Sequence, residues 1–568
     1  MSYVHFPQRP STLDAEFARA RYTELQARLP AAEASEGPEA WLELYAAWNE
    51  LQSYVWSEGS RLRYHYSKHM DDAAAEEAER VFREEIVPVA EDANAAFLEV
   101  LLASRHKDAI GAHYGAQLLK VLEVNQEPLA PINSELRVKA GDLAKRYDKL
   151  VAAAEVTVGG ESLTLPRARG LASSQDPGLR REAFEAYRTW FLEQREPIAK
   201  IYQEQVELRT RMGRNLGHAD FVPLGYAGMG RTDYGPTEAA AFRDAVEAHA
   251  SPLFARLCAL QAKALGTPTL RPWDMAYNPE LTLPTGAAQP IDGQLDKAGR
   301  VFERLSPKLA EHFTRMRSEG LIDLENRKGK RAGAFCTSFS DEAKVAIFCN
   351  SIGDEGDVKT LMHEMGHAFQ GWESQWIEAI DLRWPTSDGA EVHSMGMEFL
   401  SLPQLGEFFA PEHLERFRKN RWRRAIELLC YVSVVDAFQH WVYQNPDASP
   451  EDRDQAWVRL QDTYMPGIDW SGEAERYRSS RWYAQLHVFR YPFYYIDYAI
   501  AETGAMQLGM LDAQDHERCL MTYLELCRLG GTGSVLELFS KAGLRSPFEP
   551  ALMADLTRHA AGELGLQG

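Results

Sequence analysis

Cysteine is scarce in this chain. Six are scattered over 568 residues, at 258, 336, 349, 430, 519 and 527, with no CxxC pair among them. That spacing excludes a dense disulfide framework and leads us to expect reduced thiols in a cytoplasmic setting. Long apolar runs are missing too. No stretch approaches 18 consecutive apolar residues, which excludes a membrane-spanning helix. Residues Met1–Gln8 show no basic segment followed by an apolar run, so no secretory signal is expected. Basic charge is in deficit, with 62 Lys+Arg against 83 Asp+Glu and a formal net charge of −21. Binding nucleic acid through its phosphates needs a basic footprint, so that class is excluded. Neither internal repeats nor low-complexity segments occur. Gly530-Gly531-Thr532-Gly533 lacks the Lys-Ser/Thr that would make it a phosphate loop. Gly225–Gly235 contains G-x-G without a strand-turn-helix context and reads as a loop.

What is present centres on His363-Glu364-Met365-Gly366-His367. Apolar residues at Val358, Leu361, Met362, Met365 and Phe369 recur at helical spacing around it. Positions i and i+4 of an α-helix lie only ~40° apart, so His363 and His367 can offer two imidazoles to one ion. Glu364 stands beside them, within reach of a water on that ion. Asp357 is the expected N-cap. With 16 His and 83 Asp+Glu in the chain, such a string arises by chance only about 0.07 times. Two His and a Glu on a solvated helix face is the alternative.

A catalytic zinc takes three protein ligands. Glu391 lies in Ser387–Phe399, which Ser387 or Asp388 can open as a second helix. Glu398, seven residues on, shares the face of Glu391 and is placed to support a ligand imidazole. His393 competes with Glu391 as ligand but lies about 200° further round a regular helix. The pattern HExGH followed by E-x-x-S-x-x-x-E resembles the oligoendopeptidase F / thimet oligopeptidase family of zinc peptidases. The resemblance implies Glu391 as third ligand and one Zn2+ per chain.

Elsewhere the chain reads as mainly α. Residues 11 to 150 form successive amphipathic helices, the first opened by Ser11-Thr12 and early acids. Val156–Leu165 alternates around Gly159-Gly160 and predicts a hairpin. Helices resume at Asp176-Pro177-Gly178. Residues 266 to 291 are rich in Pro and Gly and predict a long irregular connection. Gly333–Ser338 and Lys344–Asn350 are strand candidates just before the HExxH helix. They form either a structural ribbon or an edge strand that pairs with an extended peptide. The resemblance favours the second, with Gly333, Ala334 and Phe335 against the substrate. We divide the chain into an N-terminal helical domain (1–200) carrying the hairpin and a catalytic domain (201–568). The resemblance implies a large multi-helix zincin-type fold, with a small β-ribbon beside the active-site helix and a deep channel.

A second constellation runs from His487 to Tyr498 and holds one His and four Tyr. Aromatic density of this kind more often means core, yet buried hydroxyls need partners. Tyr491, Tyr495 and Tyr498 are spaced to share one helical face. By resemblance His487, Tyr491 and Tyr498 hydrogen-bond the developing oxyanion, with Tyr495 a further substrate contact. The His-to-Tyr connection here is Val488-Phe489-Arg490, one residue shorter than in thimet-type members and without Gly, which predicts a stiffer loop. The expected activity is zinc-dependent cleavage of internal bonds in short peptides, with Glu364 as general base. Two alternatives stay open: a helical zinc carboxypeptidase acting on free C-termini, and a non-catalytic peptide-binding protein. Oligomeric state is not legible in the sequence.

Overall fold

The most continuous apolar strand of the chain, Lys344–Ser351, buries Val345, Ala346, Ile347, Phe348 and Cys349 on both faces. Such a run belongs in the middle of a covered sheet. In the computed structural model, which describes residues 4–5, 13–284 and 293–566, that is where it lies. We call it β5. It is flanked by β3 (Ile322–Glu325), which runs parallel to it, and by β4 (Phe335–Phe339), which runs antiparallel and forms an edge. The other sheet is a hairpin of β1 (Glu155–Val158) and β2 (Glu161–Thr164). Gly159 and Gly160 both take positive φ, +62° and +80°, as the predicted two-residue turn requires. Among the described residues everything else regular is helical, 72% of the molecule.

Contacts divide the chain into two units. The first gathers residues 1–126, 285–411 and 511–544; the second gathers 127–284, 412–510 and 545–568. The expected boundary at residue 200 falls inside the helix Arg195–Asn215, which belongs to the second unit.

In the first unit the helix Glu39–Lys68 runs for 30 residues. Its Trp48 stacks on Phe97 at 4.0 Å in an aromatic core that also holds Trp41. Tyr64, from the same helix, reaches β5 and donates to the Ile347 carbonyl at 3.4 Å. The expected cap at Ser11-Thr12 lies outside the described residues; Asp14 caps the helix Ala15–Gln26 by accepting from the Phe17 amide. The second unit is built on the helices Ser134–Ala152, Arg195–Asn215, Pro411–Gln444 and Ile496–Gln514. The helix Pro177–Glu193 begins where helices were expected to resume, and Asp176 caps it. Residues 266–284 are irregular apart from one short turn at Pro272–Asp274, while 285–291 lie outside the described residues.

Asp323 on β3 anchors the sheet. It accepts two hydrogen bonds from Arg327 and one from Lys330, each at 2.8 Å. The Lys330 side chain is fully buried, its ammonium 4.5 Å over the Phe348 ring. Burial pushes the Asp323 carboxyl up, but these donors outweigh it and hold it at about 2, against an ordinary 3.8. A depressed carboxyl stabilises the fold above its ordinary pKa, and that contribution is lost as pH falls through the folded value. Asp323→Asn is therefore expected to cost about 2 kcal/mol at neutral pH. The gap from wild type should hold above about pH 4 and shrink towards pH 2, read by urea unfolding at each pH. A gap independent of pH would disprove the linkage.

Candidate metal centre

The HExxH helix spans Glu355–Glu373 and packs on β5. Its N-cap is Asp354, not Asp357. Asp354 accepts from the Asp357 amide at 3.0 Å, and Asp357 reaches back to the amides of Ile352, Gly353 and Asp354. Asp357 thus closes a capping box from the third helical position. In the second helix, Ser387–Ser401, the N-cap position falls on Thr386 rather than Ser387 or Asp388, and the Thr386 side chain makes no capping hydrogen bond. Asp388 instead accepts from the Thr386 hydroxyl and the Gly389 amide.

These two helices lie against one another, and Gly366 is the reason they can. A Cβ at that position would stand 2.4 Å from the His393 carbonyl oxygen and 2.7 Å from Ser394 Cα. The buried Tyr523, from the helix His516–Leu529, reaches both helices from behind. Its hydroxyl lies 3.0 Å from the His393 carbonyl and 3.4 Å from that of Gly366.

The close approach brings His363, His367 and Glu391 together, with one ligand atom from each within 4.8 Å of the others. Glu391 Oε2 stands 3.4 Å from His363 Nε2 and 3.6 Å from His367 Nε2. Donors on a tetrahedral ion, each 2.0–2.1 Å from it, are roughly 3.3 Å apart, so the spacing fits zinc. His363 Nδ1 is bound to Glu398 Oε1 at 2.8 Å, which turns Nε2 towards the centre. Ser394 orients Glu391 by donating to Oε2 at 2.8 Å. His393 is buried and stands outside this group of three.

The electrostatics suit a cation. Burial pushes His363 down, but its hydrogen bonds to Glu391 and Glu398 outweigh that and lift it to about 10. His367, whose Nδ1 has no partner, is driven down to about 4 by burial. Burial works against Glu391 as an anion, yet His363, His367 and Ser394 hold it at about 2. Glu364 is only 6% exposed, and burial lifts its carboxyl to about 7.

Beside this centre, β4 presents an outer edge. The strand begins at Phe335, so Gly333 and Ala334 precede it rather than forming part of it. Asn350 donates to the Gly333 carbonyl at 2.7 Å, and Gly333 takes φ +99°. Phe335 stacks on Phe348 at 4.8 Å. A cleft of about 270 Å³ follows the edge, lined by Thr337 and Ser338 of β4 together with Trp56, Gly371, Arg383 and Trp384.

The His487–Tyr498 constellation belongs to the second unit. The structure overturns the single helical face expected for its tyrosines. Leu486–Arg490 is a short helix that ends at Tyr491, and the next helix begins only at Ile496. Between them Phe493 takes φ +67°, a left-handed conformation that no helix continues through. His487 is therefore ringed by Tyr494 at 5.8 Å, Tyr495 at 4.7 Å and Tyr498 at 6.3 Å. Tyr491 is half exposed and packs on Tyr494 instead.

Sequence reasoning missed Tyr494, and it missed Gln485. Tyr431 donates to Gln485 Oε1 at 2.6 Å, and the Gln485 amide donates to His487 Nδ1 at 2.8 Å. Burial and the nearby Arg490 push His487 down to about 4, so its ring is neutral. With Nδ1 accepting, the ring proton sits on Nε2, which becomes a donor. No local pattern marks this relay, because Tyr431 comes from a distant helix.

The Phe493 turn is held from three sides. Gln439 accepts from its amide at 2.8 Å, and Arg231 donates to its carbonyl and to Asp497. Gly225 lets the ring pack: a Cβ there would stand 2.4 Å from it. The Gly225–Gly235 segment expected to be a loop is helical as far as Ala227 for this packing. Gly225→Ala should cost about 1–3 kcal/mol by overpacking the fully buried ring. Thermal unfolding reads this, and an unchanged midpoint would show the turn to be soft.

Residues 170–557 match the profile of peptidase family M3, and residues 9–128 match the peptidase M3 N-terminal domain. No curated protein matches the sequence. Among solved structures, Pz peptidase A with an inhibitor is 32% identical, with 99% of each chain covered and a TM-score of 0.88. A protein assigned as an oligoendopeptidase F is 31% identical, covering 99% of this chain and 98% of its own, with a TM-score of 0.87. One from Bacillus anthracis str. Ames, assigned likewise, is 29% identical over 98% and 97%, with a TM-score of 0.84.

Proposed function

The chain belongs to peptidase family M3 and is a metallopeptidase, and from that premise we propose that it is a zinc-dependent endopeptidase of short peptides. The observation that carries this reading is the convergence of His363, His367 and Glu391 beside a buried Glu364. Two imidazoles and a carboxylate are the donor set of a zinc site that keeps a position open. Zinc bound there supplies Lewis acidity, bringing the proton of water within reach of a base near neutral pH and polarising a carbonyl.

The protein's own groups do the rest. Glu364 takes the proton from water and returns it to the leaving amine. Glu398 and Ser394 hold His363 and Glu391 in place. His487, as the Nε2–H tautomer, donates to the oxyanion together with Tyr498 and Tyr491. Tyr495 contacts the substrate, and so do Gly333, Ala334 and Phe335. The β4 edge binds extended main chain, which suits peptides of varied sequence and unfolded conformation. Among the described residues no helix is long and apolar enough to cross a membrane. We place the protein in the cytoplasm, on its few and unpaired cysteines.

An internally quenched peptide, acetylated and amidated at its ends, tests the reading. An endopeptidase cuts it, whereas a carboxypeptidase or a non-catalytic binder leaves it whole. Chelation should abolish the cutting and stoichiometric zinc should restore it. Intact casein should be cut at least ~100-fold more slowly, since the deep channel that the family resemblance implies admits short peptides and not long chains; equal rates would end the restriction to short peptides.

A further inference from the structure

Tryptophan is seldom left in water, yet three are exposed here: Trp56, Trp376 and Trp384. Trp376 is accounted for, since its indole donates to the Arg528 carbonyl and the Arg528 guanidinium covers its ring. The other two, 37% and 38% exposed, line the same cleft of about 270 Å³ that follows the β4 edge. All of its walls belong to the first unit. Trp56 comes from the helix Glu39–Lys68, and Thr337 and Ser338 come from β4. The HExxH helix supplies Gly371, one turn beyond His367, and the Trp384 ring stands 5.7 Å from that of His367. The cleft therefore opens beside the metal centre.

Its Trp384 wall is fixed from two sides. Gln370 donates to the Arg383 carbonyl at 2.7 Å, and Arg383 Nε donates to the Ile377 carbonyl at 2.8 Å. Opposite, Gly530 and Gly531 close on the same backbone. The Gly531 amide donates to the Leu382 carbonyl at 2.8 Å, and a Cβ at Gly531 would stand 2.8 Å from the Trp384 carbonyl oxygen. These glycines, which carry no phosphate-loop signature, thus allow the close approach that holds Trp384 in place.

Size and charge identify what the cleft takes. A cavity of roughly 150 Å³ already holds a benzene ring, so this one has room for a single aromatic side chain. Indole rings pair with other aromatic rings by more than the area they bury. No carboxylate lines the cleft, and its one charged residue is Arg383, in a chain whose net charge is −21. A lysine or arginine side chain entering it would meet a like charge and no counter-ion. An extended peptide on the β4 edge turns alternate side chains to opposite faces, so successive residues do not compete for the same space. We propose that this cleft is a subsite for an uncharged aromatic side chain of the peptide, with Trp56 and Trp384 as the residues that determine specificity. It rests on the reading of the protein as a peptidase.

Alanine-rich peptides, acetylated and amidated at their ends and carrying one phenylalanine, one lysine or neither, test this with zinc-loaded full-length protein. Rates and cut positions are read by mass spectrometry. The phenylalanine peptide should show a kcat/KM at least ~10-fold above the all-alanine peptide. Moving the phenylalanine along the peptide should move the cut with it, at a fixed distance. The lysine peptide should be cut no faster than the all-alanine one. Trp56→Ala or Trp384→Ala should bring the phenylalanine preference within about 2-fold of unity. Zinc content is measured for each variant. Trp56, on a helix without a metal ligand, carries the test where Trp384→Ala loses zinc. Equal rates for the phenylalanine and lysine peptides, a cut that does not follow the phenylalanine, or a preference that survives both substitutions would overturn the subsite and leave the peptidase standing. No cleavage of any of the peptides would overturn the endopeptidase reading, and the subsite with it.

Discussion

Glu364→Gln is expected to give a folded protein that binds zinc with wild-type stoichiometry and cleaves peptide about 10³-fold more slowly. Glutamine keeps the shape of the side chain and fills the same buried space. It loses the ability to take a proton. Glu364 is not one of the three residues whose ligand atoms converge, so the metal should remain. In the proposed reaction, the burial that lifts Glu364 to about 7 would fit it to exchange a proton near neutral pH. Metal content by mass spectrometry and kcat on the quenched peptide separate the two effects. Wild-type turnover would remove Glu364 from the reaction, and loss of zinc would mean that it helps to hold the ion.

The second large effect is expected from the smallest change, Gly366→Ala. The added carbon would meet main-chain atoms of the neighbouring helix, the His393 oxygen at 2.4 Å and Ser394 Cα at 2.7 Å. Backbone cannot rotate away as a side chain can, so the helices Glu355–Glu373 and Ser387–Ser401 must part by about 1 Å. His363 and His367 ride on the first and Glu391 on the second. Their separation should lower zinc affinity at least ~10-fold, comparable to losing an orienting partner. Overpacking should destabilise the fold by about 1–3 kcal/mol as well. Competition with a chromophoric chelator measures the first and thermal unfolding the second. Unchanged values for both would show that the helices have slack.

How far the sequence reaches varies with the feature. The HExxH helix and its apolar stripe are local, and the periodicity of Val358, Leu361, Met362, Met365 and Phe369 was enough to place them. Its cap lies three residues earlier than expected, because Asp354 and Asp357 are both suitable residues and only backbone geometry distinguishes them. The hairpin was legible because Gly159-Gly160 can adopt a turn few other pairs can. The tyrosine face was not. A spacing of four and three implies one face only if a helix runs through it. Here Gly225, Arg231 and Gln439, all remote in sequence, hold Phe493 in a conformation that breaks it.

The sequence alone determined the identities and local pairings: two imidazoles on one helical turn, a glutamate beside them, a mainly helical chain and a small β-ribbon. These follow from backbone geometry over a few residues, which any polypeptide must obey. Only the tertiary structure decided which groups meet across helices: Glu391 with the imidazoles, Glu398 behind His363, and Tyr494 and Gln485 around His487. Such meetings depend on how closely two backbones approach and where a turn is forced, and those distances are fixed by packing among residues far apart in the chain.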